Sequence, residues 1–287
     1  MFDLFKNKET SSGCFVLFDI GGTKMRVAAS FDGKTIGKTA ETETPKDFGA
    51  GLKVLSSLAE EVCEGQKAVR AGGGIAGILS RDHASIFRAP NLSGWDGAPL
   101  QKEFSRILGA PVLLENDAAL AALAEARLGA GKGGKIIAYF TVSTGLGGAR
   151  VVSGEIDDKI FGFEPGHQII GEEGGDLEAH VSGASLAKRF GKNPTEIDDE
   201  RIQTELAVYL ARGLYNSILH WSPDVLVLGG PLILGERPIS LDKVKAELIK
   251  LPRIFPELPE IKKAALGKEA GILGALLLLQ ESVSKYK

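Results

Sequence analysis

Cysteine is nearly absent from this chain of 287 residues, and the two present, Cys14 and Cys63, belong to neither a CxxC pair nor a Cys/His cluster. Neither a disulfide framework nor a cysteine-based metal site follows from that spacing, and both are expected to be buried as small apolar side chains. Long apolar runs are missing too. The longest, Ile272 to Leu279, falls well short of the roughly 20 residues a bilayer demands. At the start, Met1-Phe-Asp-Leu-Phe-Lys-Asn-Lys-Glu carries charges where a signal peptide needs its apolar stretch, so it reads as a short extension of a cytoplasmic protein. Nor does either charge sign dominate: the net charge is −3 and the basic residues are scattered, which argues against nucleic acid as the main partner. Apolar residues at 44% and charged residues at 25% are ordinary globular values, and the length suits two domains.

Glycine is what the chain has in excess, with 37 residues where average usage gives about 20. Many of them punctuate strand ends. Asp19-Ile-Gly-Gly-Thr-Lys24 lies between the strand-like runs Phe15 to Ile20 and Met25 to Ser30. Its two glycines predict a tight hairpin needing positive φ, and its acid, bare amides, hydroxyl and ammonium suit a metal-bound phosphate. The plain alternative is an ordinary hairpin with an acid at its edge. A second copy follows: the strand Lys135 to Val142, the turn Ser143-Thr-Gly-Leu-Gly-Gly148 and the strand Ala149 to Val152. Two copies of one unit predict a duplicated α/β architecture and a phosphate cradle made of two facing turns.

Periodicity places the other elements. Strands are expected at Lys34 to Glu43, Ala68 to Ile75, Val112 to Glu115 and Val225 to Leu228, and helices at Gly49 to Glu64 and Pro99 to Leu108. Further helices are expected at Ala118 to Leu128, Ser185 to Phe190, Asp198 to His220 and Ala270 to Ser284. Two familiar patterns are set aside. Gly72-Gly-Gly74-Ile-Ala-Gly77 fits a dinucleotide fingerprint, but no helix opens at Gly77 to receive a pyrophosphate. Gly129 to Lys135 resembles a P-loop until Ile136 stands in place of the metal-binding hydroxyl, and it precedes a strand rather than following one.

Asp117 follows an apolar strand and begins a helix, so it is either a helix cap or a base able to take a proton from an attacking hydroxyl. Capping would leave its neighbours Asn116 and Glu115 unexplained. Glu164-Pro-Gly-His167 carries an acid and an imidazole in one loop, and Glu178 follows eleven residues on. With the Asn116 amide these groups suit a polyhydroxylated ligand, although a lone acid or imidazole in a loop is usually only solvated. Gly229-Gly230, after Val225 to Leu228, lets backbone approach a nucleoside closely.

In this order the segments resemble the ROK family of sugar kinases and repressors, within the actin, hexokinase and Hsp70 ATPase superfamily. The likeness runs from about Phe15 to Leu278 and includes Ala89-Pro-Asn-Leu-Ser-Gly-Trp95, Glu115-Asn-Asp-Ala118, Leu228-Gly-Gly230 and Gly271-Ile-Leu-Gly274. It implies an α/β, two-lobed actin-like ATPase (ribonuclease H-like) fold with duplicated mixed-sheet domains. Residues 1–118 would form a smaller N-terminal lobe, joined by a C-terminal helix near 270–287, and residues 119–269 a larger lobe. The implied reaction is ATP- and Mg²⁺-dependent phosphorylation of a hexose, usually at its 6-hydroxyl. Glucose is the commonest expectation; mannose, fructose, N-acetylglucosamine and N-acetylmannosamine, or a sensor without catalysis, stay open.

By the same resemblance Asp117 is the general base, and Asn116, Glu164, His167 and Glu178 bind sugar hydroxyls, with Gly77 and Asn91 bordering the pocket. Asp19 binds the metal through water. Gly21, Gly22, Thr23 and Lys24 lie near the phosphates, Thr144, Gly145 and Gly147 on the other turn, and Gly229 and Gly230 beside the nucleoside. The resemblance also implies a homodimer. Two departures stand out. The family's three-cysteine zinc loop is missing and Gln168 to Leu177 is short, so no structural zinc is expected and the placing of Glu178 is open. Ala119 stands where many members have Asn. The family's repressors carry a DNA-binding helix-turn-helix, for which the 18 residues before Asp19 are too few.

Overall fold

Alternating and continuous apolar runs near the start become a five-stranded mixed sheet in the order Thr39–Glu43, Lys24–Ser30, Cys14–Ile20, Ala68–Ile75, Val112–Asn116. The computed structural model describes residues 13–171, 174–192, 194, 197 and 199–284. The expected extension at Met1 to Glu9, the expected helix start Asp198, and residues 285–287 of the expected C-terminal helix lie outside them. The chain divides into two compact units, one running up to Leu120 and resuming at Gly271, the other spanning Ala121–Ala270.

In the first unit β1 (Cys14–Ile20), β2 (Lys24–Ser30) and β3 (Thr39–Glu43) form an antiparallel meander. β4 (Ala68–Ile75) and β7 (Val112–Asn116) join it parallel to β1. Between them in sequence a small hairpin, β5 (Ile78–Leu79) and β6 (Ile86–Arg88), pairs on its own. β3 is shorter than its expected span from Lys34, because Asp32 gathers the amides of Lys34 and Thr35, each at 2.8 Å, into a turn. Helix α1 (Phe48–Cys63) is capped by Asp47, which accepts the Ala50 amide at 2.7 Å. Its Leu55, Ala59 and Val62 join β1, β2, Trp95 and Phe104 of α2 (Leu100–Leu108) in one buried core. Phe104 meets Phe18 edge-on at 5.5 Å. The C-terminal helix, Ala270–Ser284, packs against β4, with Leu279 over Gly72.

Cys14 and Cys63 are both buried, but they are bonded to each other, which corrects the expectation of two separate apolar thiols. β1 and α1 bring their Cα atoms to 5.6 Å, within the range a disulfide spans.

The second unit repeats the plan. β8 (Ile136–Val142), β9 (Leu146–Val152) and β10 (Glu155–Ile156) are antiparallel, and β11 (Val225–Gly229) and β12 (Glu260–Lys263) join parallel to β8. The order β10-β9-β8-β11-β12 has the connectivity of the first sheet. Helix α3 (Asp117–Arg127) leads into this unit, followed by α4 (Leu177–Val181), α5 (Gly183–Phe190), α6 (Glu200–Trp221), α7 (Pro231–Leu234) and α8 (Leu241–Ile249). Leu206, Leu210, Leu214 and Ile218 make the buried stripe of α6 at the spacing an amphipathic helix requires. Buried Glu125 satisfies the backbone after β12, accepting the amides of Ala265 at 3.1 Å and Leu266 at 2.7 Å. Among the described residues no helix is long and apolar enough to cross a membrane.

Candidate active site

The Asp19 to Lys24 turn is tight, but not for the expected reason. Neither Gly21 nor Gly22 has a positive φ. Space excludes a side chain at Gly22 instead, since a Cβ there would lie 2.5 Å from Cβ of Asn91. That approach brings Asn91 to the turn. The turn closes through the Gly21 amide on the Lys24 carbonyl at 2.9 Å, and Thr44 donates through its backbone to Thr23 O at 2.9 Å and through its hydroxyl to Gly21 O at 2.8 Å. Lys46, which nothing in the sequence singled out, donates to Gly22 O at 2.6 Å and Asn91 O at 2.9 Å. The Lys24 ammonium and the Arg26 guanidinium both bond to Glu41, and their donation holds the Glu41 carboxyl at about 2.

Asp19, the last residue but one of β1, lies between Arg26 on β2 and Gly74 on β4. Its side chain is 19% exposed, and an Arg26 guanidinium nitrogen stands 3.7 Å away. Burial pushes the Asp19 carboxyl up to about 7, with the Asp117 charge adding to the rise and Arg26 opposing it. Asp117 is close because β4 carries no side chain at Gly74: a Cβ there would come within 2.8 Å of the Asp117 Cα. A pair of carboxylates whose charges oppose each other is a hard-oxygen donor set of the kind Mg²⁺ accepts, so the residues fit that ion.

Capping of α3 falls to Asn116, whose Oδ1 accepts the Ala119 amide at 3.1 Å. Asp117 Oδ1 accepts the neighbouring Ala118 amide at 2.8 Å. The Asn116 amide nitrogen also donates to Gly77 O at 3.2 Å, so Gly77 and Asn116 meet. Gly77 has φ +137°, and a Cβ would strike the Arg88 carbonyl at 2.7 Å, which explains the glycine; as expected, no helix opens there. The first unit thus brings together Asp19, Gly21, Gly22, Asn91, Asn116, Gly77 and Asp117, with Thr23 and Lys24 on the exposed side of the turn.

The second unit gathers the remaining candidates. Its turn at 143–145 joins β8 to β9, which starts at Leu146 rather than at Ala149. The first amides of α5 hold it, Gly183 N donating to Ser143 O at 2.7 Å and Ala184 N to Thr144 O at 3.0 Å. Thr144 is exposed, and Gly145 and Gly147 are half-buried. Gly230, with φ +88°, lies where a Cβ would be 2.3 Å from Val142 O, so Gly229-Gly230 ends β11 directly beside this turn.

Glu178, on α4, accepts the Leu146 amide through Oε2 at 2.6 Å, which fastens it to the start of β9. Gly166 approaches the same place, since its Cβ would be 2.2 Å from Leu146 O. The Glu164 carboxyl is raised by loss of solvent, lowered by His167 and raised by the Glu178 charge, so the three groups share one field. His167 Nδ1 bonds to Asp176 Oδ2 at 2.8 Å. That bond is the largest of the influences raising the imidazole; burial opposes it, and the charges of Glu178, Asp176 and Glu164 add to it. Asp176 gave no sequence signal, because no helix was expected at Leu177–Val181. Among the described residues no group of three or more His, Cys, Asp or Glu is placed to hold a metal ion.

The chain is similar to known proteins over almost its whole length. A glucokinase of Streptomyces coelicolor is 26% identical, over 94% of this chain and 98% of its own length. A fructokinase of Zymomonas mobilis is 28% identical, over 98% of this chain and 100% of its own. The crystal structure of a ROK hexokinase from Thermus thermophilus is 31% identical and superposes with a TM-score of 0.76, covering 95% of this chain and 99% of that one. The fold is the actin-like ATPase fold with its duplicated mixed sheets. The ROK family profile matches residues 16–282, and the chain belongs to the ROK family.

Proposed function

We propose that this ATP-dependent sugar kinase of the ROK family phosphorylates the 6-hydroxyl of a hexose, glucose first, with Asp117 as its general base. The observation that carries the reading is Asp117 at the C-terminal end of β7, within the field of Asp19 and one residue from the Asn116 amide that holds Gly77. Strand ends of α/β sheets are where ligands bind, and a carboxylate there can take the proton of an attacking hydroxyl. Mannose, fructose and N-acetylhexosamines are alternative acceptors within the same reading.

Each group has a role that follows from its chemistry. Asn116, Glu164, His167 and Glu178 bind and orient sugar hydroxyls, and Gly77 meets Asn116 within the first unit. The bare backbone at Gly21, Gly22, Gly145 and Gly147, with Thr23, Thr144 and Lys24, receives phosphate oxygens, and Gly229 and Gly230 leave room for the nucleoside. Asp19 is the residue that would hold Mg²⁺ through water, and the ion when bound supplies positive charge to the phosphates. The chain's two cysteines are spent on each other, which supports a protein without structural zinc, and metal analysis showing stoichiometric zinc would contradict it. Assembly as a homodimer and residence in the cytoplasm complete the reading on family analogy.

A coupled ADP-release assay over a panel of hexoses tests it. Turnover is expected with glucose; sugar binding without turnover of any hexose would leave a sensor in place of a kinase.

A further inference from the structure

Asp176 has two oxygens and uses them on two different elements. Oδ1 accepts the Ala179 amide at 2.8 Å and so caps α4, the short helix that carries Glu178. Oδ2 takes His167 Nδ1 at 2.8 Å, on the loop that also carries Glu164. The chain between them doubles back: Ile170 N and Gly171 N reach Gly175 O at 3.1 and 3.2 Å, and Leu177 N reaches Gln168 O at 3.0 Å. An isolated antiparallel bridge pairs Ile169 with Asp176. One carboxylate thus ties the imidazole to the helix start, two residues before a glutamate that is itself fixed on Leu146 N.

The chemistry of the bond sets the imidazole as well as its place. A carboxylate only accepts, so Nδ1 must carry the proton. Nε2 is then the nitrogen left for a ligand, an acceptor when the ring is neutral and a donor when it is charged. Among the described residues, the charges of Glu164 and Glu178 also act on this ring.

We propose that Asp176 is a positioning residue for sugar binding: it fixes the tautomer of His167 and its register with Glu178, without touching the sugar. This rests on the kinase reading, in which His167 and Glu178 are sugar ligands. Side chains held in place before the substrate arrives do not have to be ordered by it, so loss of the tether falls on sugar affinity and leaves ATP affinity alone.

The test compares Asp176→Asn and Asp176→Ala with the wild-type full chain. Asn can still cap the helix but replaces the carboxylate with an amide. For Asp176→Asn the KM for glucose, or for whichever panel hexose is turned over, is expected to rise about tenfold, the worth of one lost charge-assisted hydrogen bond. Its ATP KM should stay within about twofold, and the NMR titration midpoint of His167 should fall. Asp176→Ala, which loses the cap as well, should raise the sugar KM further, so that Asn acts as a partial rescue; if the Ala variant does not fold, the Asn variant decides. An unchanged sugar KM in both, or an equal rise in the sugar and ATP KM, overturns the proposal. A wild-type chain that turns over no hexose sinks the kinase reading instead, and an unmoved His167 midpoint in Asp176→Asn then overturns the tether too.

Discussion

The Asp117 charge opposes ionisation of Asp19: burial first, then that charge, lift the Asp19 carboxyl from its ordinary 3.8 to about 7, against the pull of Arg26. The folded protein therefore binds a proton at neutral pH that the unfolded chain has released. The stability tied to that proton is full below pH 3.8 and is lost as pH rises through about 7. Asp19→Asn keeps the shape and removes the titration. The variant is expected to be more stable than the wild-type apoprotein at pH 8, by up to about 4 kcal/mol, and to lose that advantage toward pH 4. Urea unfolding of both proteins at the two pH values measures it. A difference that does not grow with pH would show that Asp19 ionises at its ordinary value. The same variant should have little kinase activity, so the instability is tied to the site's chemistry.

In the proposed mechanism Asp117→Asn removes the general base and keeps the volume. With Asn116 as the residue that caps α3, the substitution leaves the helix start in place. A fall in kcat of roughly 10²- to 10⁴-fold is expected, with sugar KM within about threefold, as for loss of a group that acts on the proton in flight. Wild-type turnover by this variant would remove Asp117 from the mechanism.

Patterns carried by many residues at once were legible in the sequence. β1, β4 and β11 are mostly buried and read as apolar runs, and the buried stripe of α6 repeats every four residues. β12 was not legible, because in Glu260–Lys263 only Ile261 is buried and its parallel partner β11 lies far away in sequence. α8 was missed for the same reason, with only Val244 and Leu248 buried. At the site, residue types pointed to the right places but not to the physical reasons. Gly22 is glycine because Asn91 sits on it, and Lys46 reaches the turn from a loop 22 residues further along the chain than Lys24. Only packing reveals such pairs, since the partners are not neighbours in sequence.

Gly74 was read only as part of a fingerprint to be discarded, yet it lies in register between Asp19 and Glu115 and directly under Asp117. A methyl group there would stand 2.8 Å from the Asp117 Cα, a backbone atom that can move only by shifting the start of α3. Gly74→Ala is expected to fold and to bind ATP, but to lose at least about tenfold in kcat, because displacing a reacting group by a fraction of an ångström is enough to misalign it. Circular dichroism and a kinetic comparison with Asp117→Asn check this. Full activity in a folded Gly74→Ala would mean that the exact position of Asp117 does not matter.

The bond between Cys14 and Cys63 joins the first residue of β1 to the last of α1, across a sequence separation of 49. Such a link removes freedom from the unfolded chain, by about 4 kcal/mol in the loop-entropy picture for a separation of 49. It also anchors the strand that carries Asp19. Protein purified without reductant and unfolded in urea is expected to show no titratable thiol, and two after reduction, since the chain has two cysteines. Cys63→Ser should lower the urea midpoint without changing sugar or ATP KM, because both sulfurs are buried in the core of the first unit and neither is among the candidate site residues. Two thiols titrating without reductant would show the cysteines to be free, and an unchanged midpoint in Cys63→Ser would show that the link adds no stability.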